Sequence, residues 1–503
     1  MNPDDQILPG IQLIDTAVEI ASSLETRERD EIAVEAAANY ATFGLLDDAI
    51  RSAEGISDSY LRDTAVASIA VNVIECEPET DVLSLVESIE DPGIQNLARE
   101  QLSVKYAELN LFDTALEVSR RLEDPDPALA SVIPLIAEKH SLERGGELVD
   151  EIDDTDLRIT CLIELARIAK NSGGYEQAEH FLTQAEAAVE NQDTFDRVMQ
   201  LIAIADVYGE LNETQKEKEI LKQCYRLCNE VEGPTDVDFG KTFARNELLI
   251  QVAAALAKCH EYEQSDRAIE QIEGPLEFAR AAAQQAFAYH NDGQGTQASE
   301  LLAEASELVT GQPCFGERSV HVRDITRHEL ALAYGTIQNF PKGSQEALLI
   351  ADPEQQLLTL IELGKKAALA GLVNSVSEIH GGVNGAHRRA AYLLAVSDAL
   401  LKDGNKELAV KLLLKAIEDS DEIQRADQRC LTLIQLAFGL IESGLEPKAN
   451  QLLLTVLETA VDIQDGYQQA QILLAMAEQY HQHARELSSS ENQILEKLAT
   501  ASR

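Results

Sequence analysis

The stretch that decides the fold runs from residue 37 to residue 58 and reads AANYATFGLLDDAIRSAEGISD. Two related phrases occur later in the chain, AFAYHNDGQGTQASELLAEASEL at 286–308 and AFGLIESGLEPKANQLLLTVLETA at 437–460. In all three, an alanine, a glycine and a second alanine recur in the same order and at the same spacing. Self-similarity of this kind indicates a repeat protein, in which each unit is one supersecondary element.

The phrases align on a pivot, a small residue near the start of the second helix of each unit. The pivots are Ala49, Val82, Ala115, Gly145, Ala178, Glu217, Ser265, Ala298, Gly343, Val376, Ala409 and Ala449. Successive pivots lie mostly 33 residues apart. Six of the 12 tyrosines stand nine residues before a pivot position, at Tyr40, Tyr106, Tyr208, Tyr289, Tyr334 and, in a thirteenth incomplete unit, Tyr480.

Glycine recurs five residues before the pivot, at Gly44, Gly173, Gly293, Gly371, Gly404 and Gly444. Glycine reaches left-handed dihedral angles without strain, so this position predicts a tight turn between two antiparallel helices. Apolar residues at helical spacing flank each turn, and one hairpin alone cannot bury both stripes. The sequence therefore predicts an all-α fold, a right-handed α-solenoid of about twelve helical hairpins.

The unit resembles the tetratricopeptide repeat (TPR), through Ala37, Tyr40, Gly44 and Ala49 and again in the phrase at 286–308. It departs from that family because the chain has no tryptophan and because acidic pairs, such as Glu90-Asp91, replace the closing proline. The other such pairs are Glu123-Asp124 and Asp153-Asp154. These departures leave a HEAT-like array open as the alternative subclass. The two-carboxylate clamp of the TPR family is not reproduced, so the resemblance does not imply binding of chaperone tails.

Clusters of turn residues at 231–236, 311–316 and 380–385 divide the array. We interpret them as longer loops within one superhelix. They predict N-terminal repeats over 1–230, central repeats over 231–312, C-terminal repeats over 313–487 and a capping helix or tail over 488–503.

The chain has 503 residues, with 88 acidic against 41 basic side chains and a net charge of −47. This charge repels nucleic acid and anionic membranes, so neither is an expected partner. The seven cysteines form no disulfide framework, and there is neither a basic leader nor a long apolar span. We expect a cytoplasmic protein, and the charge is typical of a salt-adapted organism.

No pattern in the sequence indicates a catalytic, cofactor or metal site. Cys224 and Cys228 lie one helical turn apart but lack further ligands, so two buried thiols are favoured. His481 and His483 point apart on a helix and are expected at a polar helix end. The glycine-rich phrases lack the strand and lysine of a phosphate-binding loop and are interpreted as turns.

Charge and the TPR resemblance together indicate a candidate groove. Residues 364–416 hold eight basic and four acidic side chains, and Arg318, His321, Arg323, Arg327 and His328 lie just upstream. A positive window can bind an acidic segment, although an ordinary solvated helix face is the simpler reading and Arg327 can instead be buried against a neighbouring helix. The candidate set combines the first-helix positions that line the groove in TPR proteins with two arginines of the positive window, Arg388 and Arg389. Its other members are Arg280, Phe287, His290, His328, Leu332, Lys365 and Phe438.

The leading hypothesis is a non-enzymatic scaffold whose extended groove binds an acidic or peptide-like segment of a protein partner. One alternative is a HEAT-like solenoid enzyme or chaperone of the bilin-lyase type, which requires a bound pigment or a reactive acid pair. A ligand-sensing regulator is the third hypothesis, although the chain has no basic recognition helix.

Salt dependence tests the interpretation of the charge. Self-repulsion among the carboxylates is screened by salt, so we expect the melting temperature to rise markedly between ~0.1 and ~2 M KCl. Differential scanning calorimetry measures this shift. A melting temperature that does not change with salt would contradict salt adaptation.

Overall fold

The computed structural model describes residues 10–78, 80–230, 238–312 and 317–501. Within these ranges it contains 27 α-helices and no strand, and none of the helices is long and apolar enough to cross a bilayer. The chain opens with α1 (Ile11–Ala21), and the rest alternate between first and second helices of hairpins.

The first helices are α2 (Thr26–Thr42), α4 (Ser59–Cys76), α6 (Pro92–Glu108), α8 (Asp126–Lys139), α10 (Thr155–Asn171), α12 (Thr194–Glu210), α14 (Asp238–Lys258), α16 (Pro275–Asn291), α18 (Glu317–Thr336), α20 (Pro353–Leu369), α22 (Ala386–Lys402), α24 (Ala426–Glu442) and α26 (Gly466–Gln482). The second helices are α3 (Leu46–Glu54), α5 (Leu83–Glu87), α7 (Phe112–Ser119), α9 (Leu142–Leu148), α11 (Tyr175–Val189), α13 (Thr214–Leu227), α15 (Tyr262–Ile269), α17 (Gly295–Gly311), α19 (Phe340–Leu348), α21 (Val373–Gly382), α23 (Lys406–Ser420), α25 (Glu446–Asp462) and α27 (Ser489–Ala501). The chain is therefore an all-α, TPR-like solenoid of helical hairpins.

The predicted turn position is confirmed by the backbone. All six predicted glycines have positive φ angles, from 74° at Gly44 to 89° at Gly444. Five other repeats place a non-glycine residue in the same conformation at the same position, namely Asn110, Asn212, His260, Gln338 and Ala484. The turn geometry is therefore a property of the repeat, and glycine is its least strained occupant rather than a requirement.

The pivots are buried where the second helix crosses the first. A Cβ atom at Gly343 would lie 2.8 Å from the carbonyl oxygen of Ala331, which explains why small residues dominate. Glu217 is a large residue at a pivot position, and Gly209 accommodates it. A Cβ at Gly209 would lie 2.6 Å from Oε1 of Glu217, so the absence of a side chain at Gly209 makes room for the Glu217 carboxyl group.

The second helix absorbs much of the variation in repeat length. In the 33-residue units the second helices have 5 to 10 residues, as in α5 and α21, whereas α13 has 14 and α17 has 17. Of the predicted loops, the one at 380–385 is helical as far as Gly382, where α21 ends, while α17 ends at Gly311, the first residue of the cluster at 311–316. The predicted breaks at 231–236 and at 313–316, including Cys314, lie outside the described residues.

Contacts divide the chain into two compact units. Unit 1 comprises Met1–His140 with Arg389–Arg503, and unit 2 comprises Ser141–Arg388. The subdivision predicted from turn residues, with boundaries at 231, 313 and 488, rests on loop composition and stays a prediction.

Within unit 1 the two ends of the array pack on each other. Helix α1 packs against the first helix α26, as second helices do elsewhere, and also against α2 and α27. Gly10 allows this close approach, since a Cβ there would lie 2.9 Å from the carbonyl oxygen of Ala477. The Phe43 and His481 rings stack at 4.1 Å, and the Tyr467 hydroxyl donates to Glu31 at 2.9 Å. We call this junction of α1 and α2 with α26 the seam.

A buried carboxylate connects several first helices to the loop that precedes the next first helix. One oxygen of Asp30 accepts hydrogen bonds from the backbone N–H groups of Ser57 and Asp58, both at 3.0 Å. The same pattern occurs at Asp63 and at Asp324, where the donors are also 27 and 28 residues later. These three aspartates are at most 3% exposed.

Two of the three acidic pairs that replace the TPR proline begin the next first helix, whereas Pro125 follows the third pair and is the N-cap of α8. Asp91 accepts a hydrogen bond from the N–H of Ile94, and Asp154 accepts one from Leu157, as N-cap residues do. Four residues after Asp91, the Gln95 amide donates back to the carbonyls of Val86 in α5 and of Ile89 in the loop after it. Where the TPR family closes its repeat with a proline, this chain therefore uses, in these two repeats, an aspartate that caps the next helix.

Replacing Asp324 tests the buried carboxylate. In Asp324→Ala the N–H groups of Ala351 and Asp352 lose their acceptor, so we expect a loss of about 2–3 kcal/mol in the free energy of unfolding. Asp324→Asn should lose less, because Asn246 already accepts from the N–H of Glu273 at an equivalent position. Urea denaturation followed by circular dichroism measures both. Equal losses for the two variants would contradict this role.

Candidate functional site

A cavity of about 370 Å³ opens on the first helices of unit 2. Ile202 of α12 and the alanines of α14 and α16 form its apolar wall, and the small alanine side chains give it depth. The ring of Phe287 stands at its edge and is 47% exposed. Gln251, Gln284 and Asn291 supply amide groups around the opening. We call this cavity the Phe287 pocket.

Hydrogen bonds hold one end of the Phe287 pocket in place. Asp292 accepts from the hydroxyl of Tyr262 and lies 2.8 Å from Nδ1 of His260. The Tyr262 bond, together with His260, holds the pKa of Asp292 below its usual value, while burial and this bond raise the pKa of Tyr262. Tyr262 also stacks on Tyr289 at 4.7 Å. The turn after α14 is thereby fixed to the end of α16 before any ligand arrives.

Large apolar side chains are exposed on other first helices of unit 2. Met199, Leu358 and Leu369 are 39%, 60% and 52% exposed, and their spacing from the pivots places them on the same stripe as Phe287. The sequence projection from the TPR pattern did not include them. Their common register relative to the pivots is the signal that would have found them.

Arg280 is a bridge between first helices rather than a free cation. Its side chain is 12% exposed and pairs with Glu247 of α14 and with Glu329 of α18, at 3.0 Å from Nε to Oε1 in the latter. A guanidinium neutralised by two carboxylates is a poor site for an acidic partner, because a third carboxylate would find no excess positive charge.

The other candidates on α16, α18 and α20 are half-buried. His290 and Leu332 have partial access to solvent, and the Nδ1 atom of His328 lies 2.9 Å from the Thr359 hydroxyl. Lys365 is also half-buried. Together with Arg280 and Phe287, these residues occupy three first helices that pack in succession.

The remaining candidates lie elsewhere. Phe438 is 3% exposed and packs edge-on against Tyr480, so it belongs to the core of unit 1 and is not accessible to a partner. Arg389 pairs with Glu422 and lies 3.9 Å from Asp419, also in unit 1. Arg388 is half-buried at the end of unit 2.

Much of the positive window is neutralised locally. Lys402, Lys411 and Lys415 form pairs with Asp398, Glu407 and Glu418, each within four residues along the chain. Such exposed pairs are typical of a solvated helix face. Upstream, Arg327 is 5% exposed and pairs with Glu346 at 2.8 Å, so it is buried between neighbouring helices, while the side chain of Arg318 lies outside the described residues.

The cysteine and histidine pairs carry structural contacts. Cys224 and Cys228 are fully buried, and burial raises the pKa of the Cys228 thiol to about 12. His481 belongs to the seam, and His483 lies against Phe438 and 3.5 Å from Glu442. In the described part of the chain, no three histidine, cysteine or acidic side chains lie together as a metal site would require.

Fold and register together define the class, a TPR-like α-solenoid protein. No family model matches the chain, and no curated protein matches it. Solved structures align along it at low identity. Ton1535 from Thermococcus onnurineus NA1 is 12% identical with a TM-score of 0.25, over 74% of this chain and 99% of that one.

Two further alignments involve TPR proteins. A putative kinesin light chain of Podosopora anserina with TPR-like repeats is 19% identical, over 48% of this chain and 96% of that one, with a TM-score of 0.21. A signal-transduction ATPase of Pyrococcus horikoshii with a tetratricopeptide repeat sensor is 13% identical, over 88% of this chain and 62% of that one, with a TM-score of 0.25. At these values the alignments transfer no ligand or activity.

Replacing Arg280 tests its structural role. Arg280→Ala leaves Glu247 and Glu329 without their shared cation, so we expect a loss of about 2–3 kcal/mol in the free energy of unfolding. The control is Arg144→Ala, which breaks an exposed pair with Glu147 and should change stability by less than about 1 kcal/mol. Urea denaturation compares the two variants, and equal losses would contradict the bridge.

Proposed function

We propose that the chain is a non-enzymatic scaffold that binds a peptide-like segment of another protein along the first helices of unit 2. The observation that carries this proposal is the Phe287 pocket, an apolar cavity with an exposed aromatic edge and fixed polar groups. Such a cavity suits a large apolar side chain of the segment, while Gln251, Gln284 and Asn291 can hydrogen-bond its backbone.

A second part of the proposal concerns charge. Beyond the pocket, an acidic residue of the segment would meet Lys365 of α20, which forms no ion pair within the described residues, whereas Arg280 and the pocket-lining Lys258 are already neutralised. The partner segment is therefore expected to combine an apolar anchor with a single acidic contact, rather than to be acidic throughout.

The composition of the pocket supports a binding role over a catalytic one. His260 with Asp292 resembles a general-base pair, but the possible nucleophiles that line the cavity, Lys258 and Tyr262, are already held by Asp206 and Asp292. The nearby Cys259 thiol is buried, which raises its pKa to about 11. Binding requires none of these groups to react.

Affinity capture at high salt from the native cytoplasm tests the proposal. We expect Phe287→Ala to lose the captured partner, because it removes the exposed edge of the pocket. The matched control is Tyr175→Ala, which removes an aromatic ring that is 61% exposed from the second helix α11. Lys365→Glu, compared with the exposed Lys342→Glu on α19, tests the acidic contact. Identical captured proteins for wild type and Phe287→Ala would refute the pocket.

A further inference from the structure

The floor of the Phe287 pocket is formed by α14, which packs against both α12, the helix of Ile202, and α16, the helix of Phe287. Ala254 lies on this floor and is half-buried. It stands eleven residues before the pivot Ser265, the register that Phe287 has before Ala298. The other first helices wholly within unit 2 have a larger residue at this register, namely Arg167, Asp206, Phe287, Leu332 and Lys365. The row of side chains across the first helices is therefore interrupted at α14.

A cavity also accompanies the other alanine at this register. In unit 1, Ala38 of α2 stands eleven residues before the pivot Ala49, and it lines a cavity of about 520 Å³. No other repeat has alanine at this register. Both alanines thus line cavities, which indicates that a missing side chain at this register opens space on the first helices.

The neighbours of Ala254 on α14 leave this space open. Gln251 lies one turn before it and Lys258 one turn after it, about 10 Å apart along the helix axis. The Lys258 ammonium group is held by Asp206 of α12, so it does not fill the space beside Phe287. The apolar floor between the two polar groups is therefore long enough for one large side chain.

Phe287 supplies an aromatic ring beside this floor. The ring is 47% exposed, although Phe438 at the same register is 3% exposed and packs against Tyr480. The register therefore does not force a phenylalanine into solvent. An exposed ring that borders an apolar cavity can pack against a side chain of another molecule.

We infer, on the basis of the proposed binding of a peptide-like segment, that Ala254 determines the specificity of the pocket. The anchor of the segment is one side chain of the size of leucine or phenylalanine, which lies on Ala254, packs against Phe287 and completes the interrupted row. A smaller anchor leaves part of the cavity unfilled and loses dispersion contacts. A larger residue at position 254 occupies the space itself and competes with the anchor.

Selection of peptides from a random phage-displayed library by the immobilised full chain tests the role of Ala254. The selection is done in ~0.5 M KCl, because salt suppresses the weak binding that a net charge of −47 causes everywhere. We expect wild type to select peptides that share one leucine- or phenylalanine-sized residue, and Ala254→Phe to bind the synthetic consensus peptide at least about tenfold more weakly. Changing that residue of the peptide to alanine should weaken binding to wild type by a similar factor and to Ala254→Phe little further. Fluorescence anisotropy measures the affinities.

Two further variants complete the experiment. Val104→Phe adds the same side chain at the same register of α6 in unit 1 and should bind the peptide like wild type. Ala254→Val adds only two carbon atoms and should give an intermediate loss of affinity, which keeps the test valid if phenylalanine disturbs the packing of α14. Thermal melting followed by circular dichroism compares the folding of all the variants.

Equal affinities of wild type and Ala254→Phe, or losses that add when the peptide is also changed, would overturn the role of Ala254. If the peptide still requires Phe287, the proposed function stands without this specificity. If it requires neither residue, both proposals fail. A wild-type selection without a shared apolar residue would also contradict the inferred anchor.

Discussion

The start of the next first helix is determined by a buried carboxylate on the preceding first helix. This carboxylate accepts hydrogen bonds from two backbone N–H groups of a later loop. Asp30, Asp63 and Asp324 each hold the loop that lies 27 and 28 residues downstream. A loop held in this way presents Asp58, Asp91 or Asp352 as the N-cap of the following helix. These polar contacts therefore fix the register of each hairpin relative to the next one. The apolar stripes of the two hairpins then pack in a single arrangement.

Ion pairs also connect successive first helices. Arg167 and Lys170 of α10 meet Asp206 and Glu210 of α12, and Lys258 approaches Asp206 from the other side. In a chain with 88 acidic and 41 basic residues, cations placed at these junctions relieve repulsion where helices must approach closely. Repulsion that remains is spread over exposed positions, where solvent and salt screen it.

The sequence predicted the hairpins well because their signals are local. The turn position at Gly44 and its equivalents, and the pair of helices around each turn, follow from spacing within a single unit. Asp30 and Asp63 also recur at a fixed distance before the pivot, but an acidic residue within an apolar stripe was not interpreted as a buried acceptor. Their role depends on a loop almost one repeat away.

The candidate site was less predictable because it depends on contacts between repeats. Phe287 and Phe438 stand at equivalent positions of their repeats, yet Phe287 is exposed and Phe438 is covered by Tyr480. Arg280 was expected to be available to a partner, yet two glutamates from adjacent repeats bind it. The seam was not anticipated, since the pairing of α1 with α26 joins segments at opposite ends of the chain.

The position of α1 also has a consequence for synthesis on the ribosome. Its apolar face, with Leu13, Ile14 and Ala17 fully buried, packs on α2 and also on α26, which is translated more than 400 residues later. At about 5–20 residues per second, that face waits roughly 20–90 s for its partner. Unit 2 is contiguous in sequence and is translated completely before α26 appears. The contacts between α1 and α26 therefore form only when translation is nearly finished, whereas those between α1 and α2 can form at its start.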